Sequence, residues 1–91
     1  MDFSHALAIC KAGNKITRAG WNGPDQWIAL SPGFNLTADR IFSEPIKDHV
    51  GRGTGTGTFA PYLMIHNAQG VFVPWLASQG DLLAEDWELA P

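Results

Sequence analysis

The sequence predicts an α+β fold in which two short helices pack on one small antiparallel sheet. Three observations predict it: apolar residues at helical spacing near the N-terminus, short alternating runs separated by turn residues, and a helix-capping pattern near the C-terminus. Sheet strands are expected in the segments that begin at Gln26, Tyr62, Val71 and Trp87. With 91 residues, the chain is expected to form one domain spanning residues 1–91.

The first helix is expected to follow Asp2 and to end at Gly13. Aspartate is a favoured N-cap residue, and glycine supplies the left-handed conformation that ends many helices. Between them, Phe3, Leu7 and Cys10 recur at helical spacing. Cys10 is therefore expected on the inner side of this helix.

Strands and turns are expected next along the chain. Residues 15–19 form a short extended segment, and residues 21–25 carry Asn-Gly followed by Pro-Asp, two turn signals in succession. Residues 26–30 alternate in the manner of a strand, which the turn Ser-Pro-Gly ends. The following thirty residues are expected to be irregular.

A hairpin is predicted from residues 62–66 and 71–73, with residues 67–70 as its turn. Pro74 is expected to end the pairing, because proline has no N–H to donate to a strand ladder.

A second helix is predicted after Ser78, which begins a Ser-x-x-Asp capping pattern with Asp81. Residues 82–84 are expected to supply its apolar side, and residues 87–89 to form a final edge strand.

Composition excludes several classes of function. The net charge is −3 and the six cations are scattered, so binding to polymeric DNA or RNA is not expected. No apolar run is long enough to span a bilayer, and the start of the chain lacks the features of a signal peptide. We therefore expect a soluble protein of a reducing cytoplasm. Because only 16% of its residues are charged, exposed apolar surface and a homo-oligomer are also expected.

Catalytic and metal-binding patterns are weak. His5, His49 and His66 lack the spacing of a metal site, and no second cysteine accompanies Cys10. Neither a metal nor a cofactor is expected, and the absence of a self-sufficient catalytic group favours binding over enzymatic chemistry. A hydrolase that uses Asp81 as a base stays open as an alternative.

Glycine alternates with threonine over residues 51–58. The P-loop pattern fails for want of a lysine, and the dinucleotide-binding pattern fails for want of its third glycine. The leading interpretation is a mobile loop. The alternative is an extended ligand flap, whose cation and hydroxyls would point one way and form a second pocket; its residues are Arg52, Thr54, Thr56 and Thr58.

Two tryptophans lie where loops begin, and loops commonly carry binding residues. Trp75 precedes a helix start, whose free N–H groups attract anions. Trp21 offers a ring for stacking, Asn22 an amide that can read a base edge, and Arg18 a phosphate or ribose contact. The tryptophans within strand patterns are interpreted as core residues, namely Trp27 and Trp87.

Four stretches carry a resemblance to a known family. They are F-x-x-A-L near the N-terminus, R-x-G-W-N at residues 18–22, P-Y-L-M-I in the hairpin, and P-W-x-x-S-Q-x-D-L-L-A-x-D-W at residues 74–87. The chain resembles the Thoeris anti-defence protein two family of small phage and prophage proteins. The resemblance covers nearly all of the chain except about residues 34–58. It therefore does not imply which ligand, if any, that segment binds.

The resemblance implies a molecular sponge. Members bind a cyclic ADP-ribose isomer made by the Toll/interleukin-receptor-type sensor of the Thoeris defence system and sequester it intact in the host cytoplasm. They form oligomers, typically tetramers, with pockets at subunit interfaces, and some hold cyclic di- or trinucleotides in a separate pocket. Carried over to this chain, the implied pocket residues are Trp21, Asn22, Trp75, Ser78, Gln79 and Asp81, to which the loop pattern adds Arg18.

Roles for these residues are inferred from their chemistry. The tryptophans would stack on adenine, Asn22 and Asp81 would hold base or ribose edges, and Ser78 with nearby N–H groups would take the pyrophosphate. Two other functions stay open: an enzyme that hydrolyses the same signal, and a structural phage or protein-interaction module.

Overall fold

The computed structural model describes residues 1–23 and 25–91; Pro24, part of the second predicted turn, lies outside the described residues. The chain forms two compact units, Met1–Ser31 with Tyr62–Pro91, and Pro32–Pro61. Its helices and strands confirm the predicted α+β class. In chain order they are α1 (Phe3–Lys11), β1 (Ile16–Arg18), β2 (Trp27–Ser31), β3 (Phe34–Thr37), a 3₁₀ turn (Ala38–Arg40), α2 (Glu44–Arg52), β4 (Thr56–Phe59), β5 (Tyr62–His66), β6 (Phe72–Pro74), α3 (Gln79–Leu83) and β7 (Trp87–Leu89).

The first unit is built on a five-stranded antiparallel sheet in the order β6-β5-β2-β1-β7. All four predicted strand segments are confirmed in it. Ile28 at its centre lies opposite Ile16 on one side and Ile65 on the other. The last strand is an edge strand, as predicted, and places Trp87 opposite Arg18.

Helix α1 packs on this sheet and forms the core. The side chain of Asp2 accepts a hydrogen bond from the backbone N–H of His5 at 2.9 Å, and Gly13 has a φ of +104°, so both predicted ends are confirmed. The core consists of fully buried residues from the helix and three strands, namely Ala6, Cys10, Ile16, Ile28 and Trp87.

Burial raises the pKa of the Cys10 thiol, in agreement with the expectation that this cysteine packs in the core. Trp27, in contrast, is only partly buried and stands outside the buried cluster. Its ring stacks on that of His66, with centroids 5.2 Å apart, and the Nζ of Lys15 lies 4.8 Å from its centroid. The interpretation of Trp27 as a core residue is therefore wrong.

Pairing in the hairpin continues past the predicted end. Pro74 lies opposite Met64, and the backbone N–H of Trp75 donates to the carbonyl of Leu63 at 2.9 Å. A proline is tolerated here because β6 is an edge strand, which has a neighbour on one side alone.

Helix α3 begins as predicted, since the Ser78 hydroxyl accepts the backbone N–H of Asp81 at 3.1 Å. Its expected apolar side is wrong in part: Ala84 packs against the core, but Leu83 is 79% exposed. The helix has five residues, too few to present a full apolar stripe. It is held instead by its cap and by the indole N–H of Trp87, which donates to the Asp81 carbonyl at 2.9 Å.

The second unit corrects the prediction of thirty irregular residues. Strands β3 and β4 form an antiparallel pair, with Phe34 opposite Phe59, and α2 packs beside them. The helix has proline in its first turn, where proline is favoured, and a single buried side chain, Val50. Gly57 lets the two elements approach, because a Cβ there would lie 2.9 Å from Cγ2 of Val50.

The glycine-threonine run is consequently not one loop. It comprises the end of α2, a turn in which Gly55 has a φ of +83°, and most of β4. The longest helices in the described part of the chain have nine residues, and none there is long and apolar enough to cross a bilayer.

Candidate functional site

The centre of the candidate site is the guanidinium of Arg18, which is bound by two carboxylates. Its Nη1 donates to Oδ1 of Asp81 at 2.8 Å and its Nε to Oδ1 of Asp86 at 2.7 Å, while Nη2 reaches Oδ2 of Asp86 at 3.4 Å. These bonds connect β1 to the first turn of α3 and to the residue before β7. The guanidinium therefore joins β1 to two neighbouring segments that lie more than sixty residues further along the chain.

The electrostatics of this cluster keep both carboxylates ionised. Hydrogen bonds from Arg18 lower the pKa of Asp86, and a bond from the N–H of Gly20 adds to the effect. For Asp81, burial alone raises the pKa, but hydrogen bonds from Arg18, Trp21 and Ser78 outweigh burial and leave the pKa below its usual value. The same bonds to Asp86 and Asp81 raise the pKa of Arg18. One cation and two anions give the cluster a net charge of −1.

The indole of Trp21 is attached to this cluster by its polar edge. Its Nε1 donates to Oδ1 of Asp81 at 3.2 Å, and its ring meets that of Trp87 edge-on, with centroids 5.3 Å apart. The ring is partly buried and packs against the core. Part of its surface is accordingly available to a ligand.

Trp75 lies against the same core residue from another direction. Its ring is 6.0 Å from that of Trp87 at an angle of 83°, and 5.7 Å from that of Phe3. It is also partly buried. Buried Trp87 thus contacts both tryptophans that are expected to bind a purine, Trp21 and Trp75.

Of Asn22, Ser78 and Gln79, only Ser78 has a hydrogen bond to a residue of the cluster. The hydroxyl of Ser78 is engaged in capping α3, and its bond to the N–H of Asp81 fixes the first turn. Asn22 and Gln79 are exposed, and the hydrogen bonds among the described residues do not include either amide side chain. Their amides are therefore available for polar contacts.

Asp86 belongs to this cluster, although the sequence did not identify it as a candidate site residue. Its partner Arg18 lies 68 residues away, and the sequence has no local signal for that pairing. The structure brings Arg18, Trp21 and Asp81 into direct contact and adds Asp86 to them. Of the remaining predicted residues, Ser78 joins through its cap and Trp75 through Trp87.

A cavity of about 270 Å³ borders this cluster. Its lining includes Arg18, Trp21, Asp25, Gln26, Trp27 and Glu88. The other predicted pocket residues do not line it, namely Asn22, Trp75, Ser78, Gln79 and Asp81. Small-molecule pockets usually measure about 300–1,000 Å³, so this cavity alone is small for a dinucleotide-sized ligand.

The second unit has a cavity of its own, of about 450 Å³, between α2 and β4. Three of the four residues expected in a second pocket line it, namely Thr54, Thr56 and Thr58. Arg52 does not: it belongs to α2 and its Nε donates to Oδ1 of Asp48 at 3.1 Å. The expectation that Arg52 points with the threonines is wrong, because the helix extends to it and only the later residues are in a strand.

Residues 1–23 and 25–91, the part of the chain that the structure describes, contain no group of three or more histidine, cysteine or carboxylate side chains placed to hold a metal ion.

Comparison with known proteins gives a consistent result over nearly the whole chain. A family model described as the Thoeris anti-defense 2-like domain matches residues 1–90. A protein named Thoeris anti-defense 2, from Bacillus phage SP01, is 32% identical over 89 residues, which cover 98% of this chain and 93% of that protein. The chain is therefore a member of the Thoeris anti-defense 2-like family.

Proposed function

We propose that the protein is a phage anti-defence sponge that binds a cyclic ADP-ribose-type signalling nucleotide and sequesters it without degrading it. Membership of a family named for action against Thoeris supports the anti-defence part. The observation that carries the binding part is the ordered cluster of Trp21, Arg18 and Asp81, which borders a cavity through Arg18 and Trp21.

The charge of the cluster indicates how it would meet such a ligand. Its net charge of −1 disfavours direct contact with a pyrophosphate, whereas carboxylate oxygens are good acceptors for ribose hydroxyls. We therefore place the ribose near Asp81 and the purine on the faces of Trp21 and Trp75. The exposed amides of Asn22 and Gln79 would hold base or phosphate edges.

Stacking would supply a large share of the affinity. A base on an aromatic ring contributes about 1–3 kcal/mol, and a nanomolar dissociation constant corresponds to roughly 12 kcal/mol. Two stacked indoles, several hydrogen bonds and burial of the ligand are together enough. Arg18, most of whose donors serve the carboxylates, would hold the site in shape more than contact the ligand.

A second copy of the chain is proposed to complete the pocket. The cavity beside Trp21 is small for the ligand, and several large apolar side chains are nearly fully exposed, among them Phe42 at 99% and Leu76 at 93%. Apolar surface of this kind commonly marks an interface. We propose a homo-oligomer, by family resemblance a tetramer, acting in the host cytoplasm.

The cavity of the second unit is proposed to hold cyclic di- or trinucleotides. Its volume of about 450 Å³, the hydroxyls of Thr54, Thr56 and Thr58, and the ring of Phe59 offer polar contacts and a stacking surface to a base. Binding there would be independent of the cluster around Arg18.

An enzyme that hydrolyses the same signal is the second candidate, with Asp81 as its base. The lowered pKa of Asp81 makes it a weak proton acceptor, and its Oδ1 already accepts two hydrogen bonds. The observations therefore favour sequestration.

Calorimetry against a panel of cyclic ADP-ribose isomers and cyclic oligonucleotides tests the proposal. We expect tight binding of at least one cyclic ADP-ribose isomer, and recovery of that ligand unchanged after the complex is heated and the protein removed. Recovery of a linear product would establish hydrolysis instead. Absence of binding across the panel would support a structural or protein-interaction role.

A further inference from the structure

We propose that Asp86 is a positioning residue of this site: it sets the orientation of Trp21 and of the Arg18 guanidinium without contacting ligand. The inference rests on the proposed function for its effect on affinity. Its effect on the geometry of the indoles can be measured with no ligand present.

Asp86 holds the backbone that leads to Trp21. Its carboxylate accepts the N–H of Gly20 at 2.8 Å, and its carbonyl accepts the N–H of Ala19 at 3.0 Å. The turn is closed by the N–H of Trp21, which donates to the carbonyl of Arg18 at 3.2 Å. The two residues immediately before the indole are thus bound to Asp86.

The same carboxylate is also linked to the indole nitrogen of Trp21, through Arg18 and Asp81. Asp86 binds Arg18 through Nε, and the other side of that guanidinium binds Asp81, which accepts the Nε1–H of Trp21. Hydrogen bonds thus connect the backbone N–H of Gly20, through Asp86, Arg18 and Asp81, to the indole nitrogen of Trp21. Backbone and ring of Trp21 are therefore fixed by one connected network.

The contact between the Asp86 carboxylate and the backbone at position 20 requires a residue without a side chain there. A Cβ at Gly20 would lie 2.8 Å from Oδ2 of Asp86, closer than real Cβ atoms approach. The absence of a side chain is what lets the carboxylate reach the backbone N–H. A methyl group at this position should displace the carboxylate and disturb Trp21 without altering any charge.

The experiment compares Asp86→Asn and Gly20→Ala with the matched control Glu85→Gln. Glu85 is the neighbouring carboxylate, is exposed, and its side chain takes no part in the ion pairs of the described residues. Each variant is measured for its melting temperature, for near-ultraviolet circular dichroism without ligand, and for its affinity for the cyclic ADP-ribose isomer that the wild-type protein binds. The ring centroids of Trp21 and Trp87 lie 5.3 Å apart, so the near-ultraviolet dichroism is sensitive to the relative orientation of the two indoles.

We expect both Asp86→Asn and Gly20→Ala to change the near-ultraviolet spectrum of the folded protein and to weaken binding about tenfold, because ligand binding must then order the indole that Asp86 holds in place in the wild type. Glu85→Gln should change neither. In a Trp21→Ala background, Asp86→Asn should have little further effect on affinity, because the residue through which it acts is gone.

Three results would overturn the inference. The first is that Asp86→Asn leaves both the near-ultraviolet spectrum and the affinity unchanged. The second is that Asp86→Asn lowers the melting temperature but leaves the spectrum unchanged. The third is that Asp86→Asn weakens binding equally in the wild-type and Trp21→Ala backgrounds. If the wild-type protein binds nothing in the panel, the proposed function fails, and the ligand-free spectra alone decide whether Asp86 positions the indole.

Discussion

Replacement of Asp81 by asparagine tests the cluster most directly, because it removes a charge and preserves the shape of the side chain. Asp81 is 15% exposed, and its Oδ1 accepts hydrogen bonds from Arg18 at 2.8 Å and from Trp21 at 3.2 Å. Hydrogen bonds to charged groups contribute about 1 kcal/mol more than neutral ones. We therefore expect Asp81→Asn to lower the free energy of unfolding by about 2 kcal/mol at pH 7.

The pH dependence of this loss has a defined sign. The folded pKa of Asp81 lies below its unfolded value of about 3.9. A depressed carboxyl pKa contributes stability that is fully present above the unfolded pKa and is lost as the pH falls through the folded pKa. The difference between wild type and Asp81→Asn should consequently be constant from about pH 7 to 5 and shrink as the pH falls below about 4.

Urea unfolding at a series of pH values, followed by tryptophan fluorescence, measures this difference. For a chain of this size, the expected shift in melting temperature at pH 7 is roughly 10 °C. Glu85→Gln, which removes an exposed charge in the same region, should change stability by less than about 0.5 kcal/mol. A difference for Asp81→Asn that is equally small, or that is the same at pH 3 and pH 7, would refute the ion-paired geometry.

Three further predictions follow from other parts of the structure. Trp75→Ala should weaken binding of a cyclic ADP-ribose ligand about tenfold or more in calorimetry, whereas Trp75→Phe should retain most of the affinity because a ring remains for stacking; equal affinities would remove Trp75 from the site. Gly57→Ala should lower the free energy of unfolding by about 1–3 kcal/mol through overpacking against Val50, measured by urea unfolding, while Gly55→Asn, at a turn position open to solvent, should be much milder. Leu83→Asp should shift sedimentation velocity toward smaller species with an unchanged far-ultraviolet spectrum, and an unchanged distribution would exclude that leucine from the interface.

Local sequence patterns predicted most of the first unit. The N-cap at Asp2, the stop at Gly13 and the cap at Ser78 each depend on residues within a few positions of one another, so they are readable from the chain. The strand segments were equally readable from their alternation. The prediction of Trp27 as a core residue fails because alternation identifies the two faces of a strand and does not tell which face is covered.

The second unit escaped prediction because its local preferences are weak. Helix α2 contains proline, aspartate, histidine, valine and glycine, most of which are poor helix formers, and it exposes nearly all of its side chains. It packs on the neighbouring strand through Val50 against Gly57, a contact between two elements that the pattern of neither element reveals. Glycine in β4 looked like a loop residue, although its role is to make room for the helix.

The sequence by itself determined the α+β class, the ends of α1 and α3, and the identities of Trp21, Trp75 and Asp81 as candidate binding residues. Only the tertiary structure decided which contacts those residues make, because the register of β1 on β7 places Arg18 opposite Trp87 and thereby next to Asp86. Helix caps and strand alternation arise from neighbours along the chain. The joining of Arg18 to carboxylates 63 and 68 residues away arises from sheet pairing, which a local pattern does not encode.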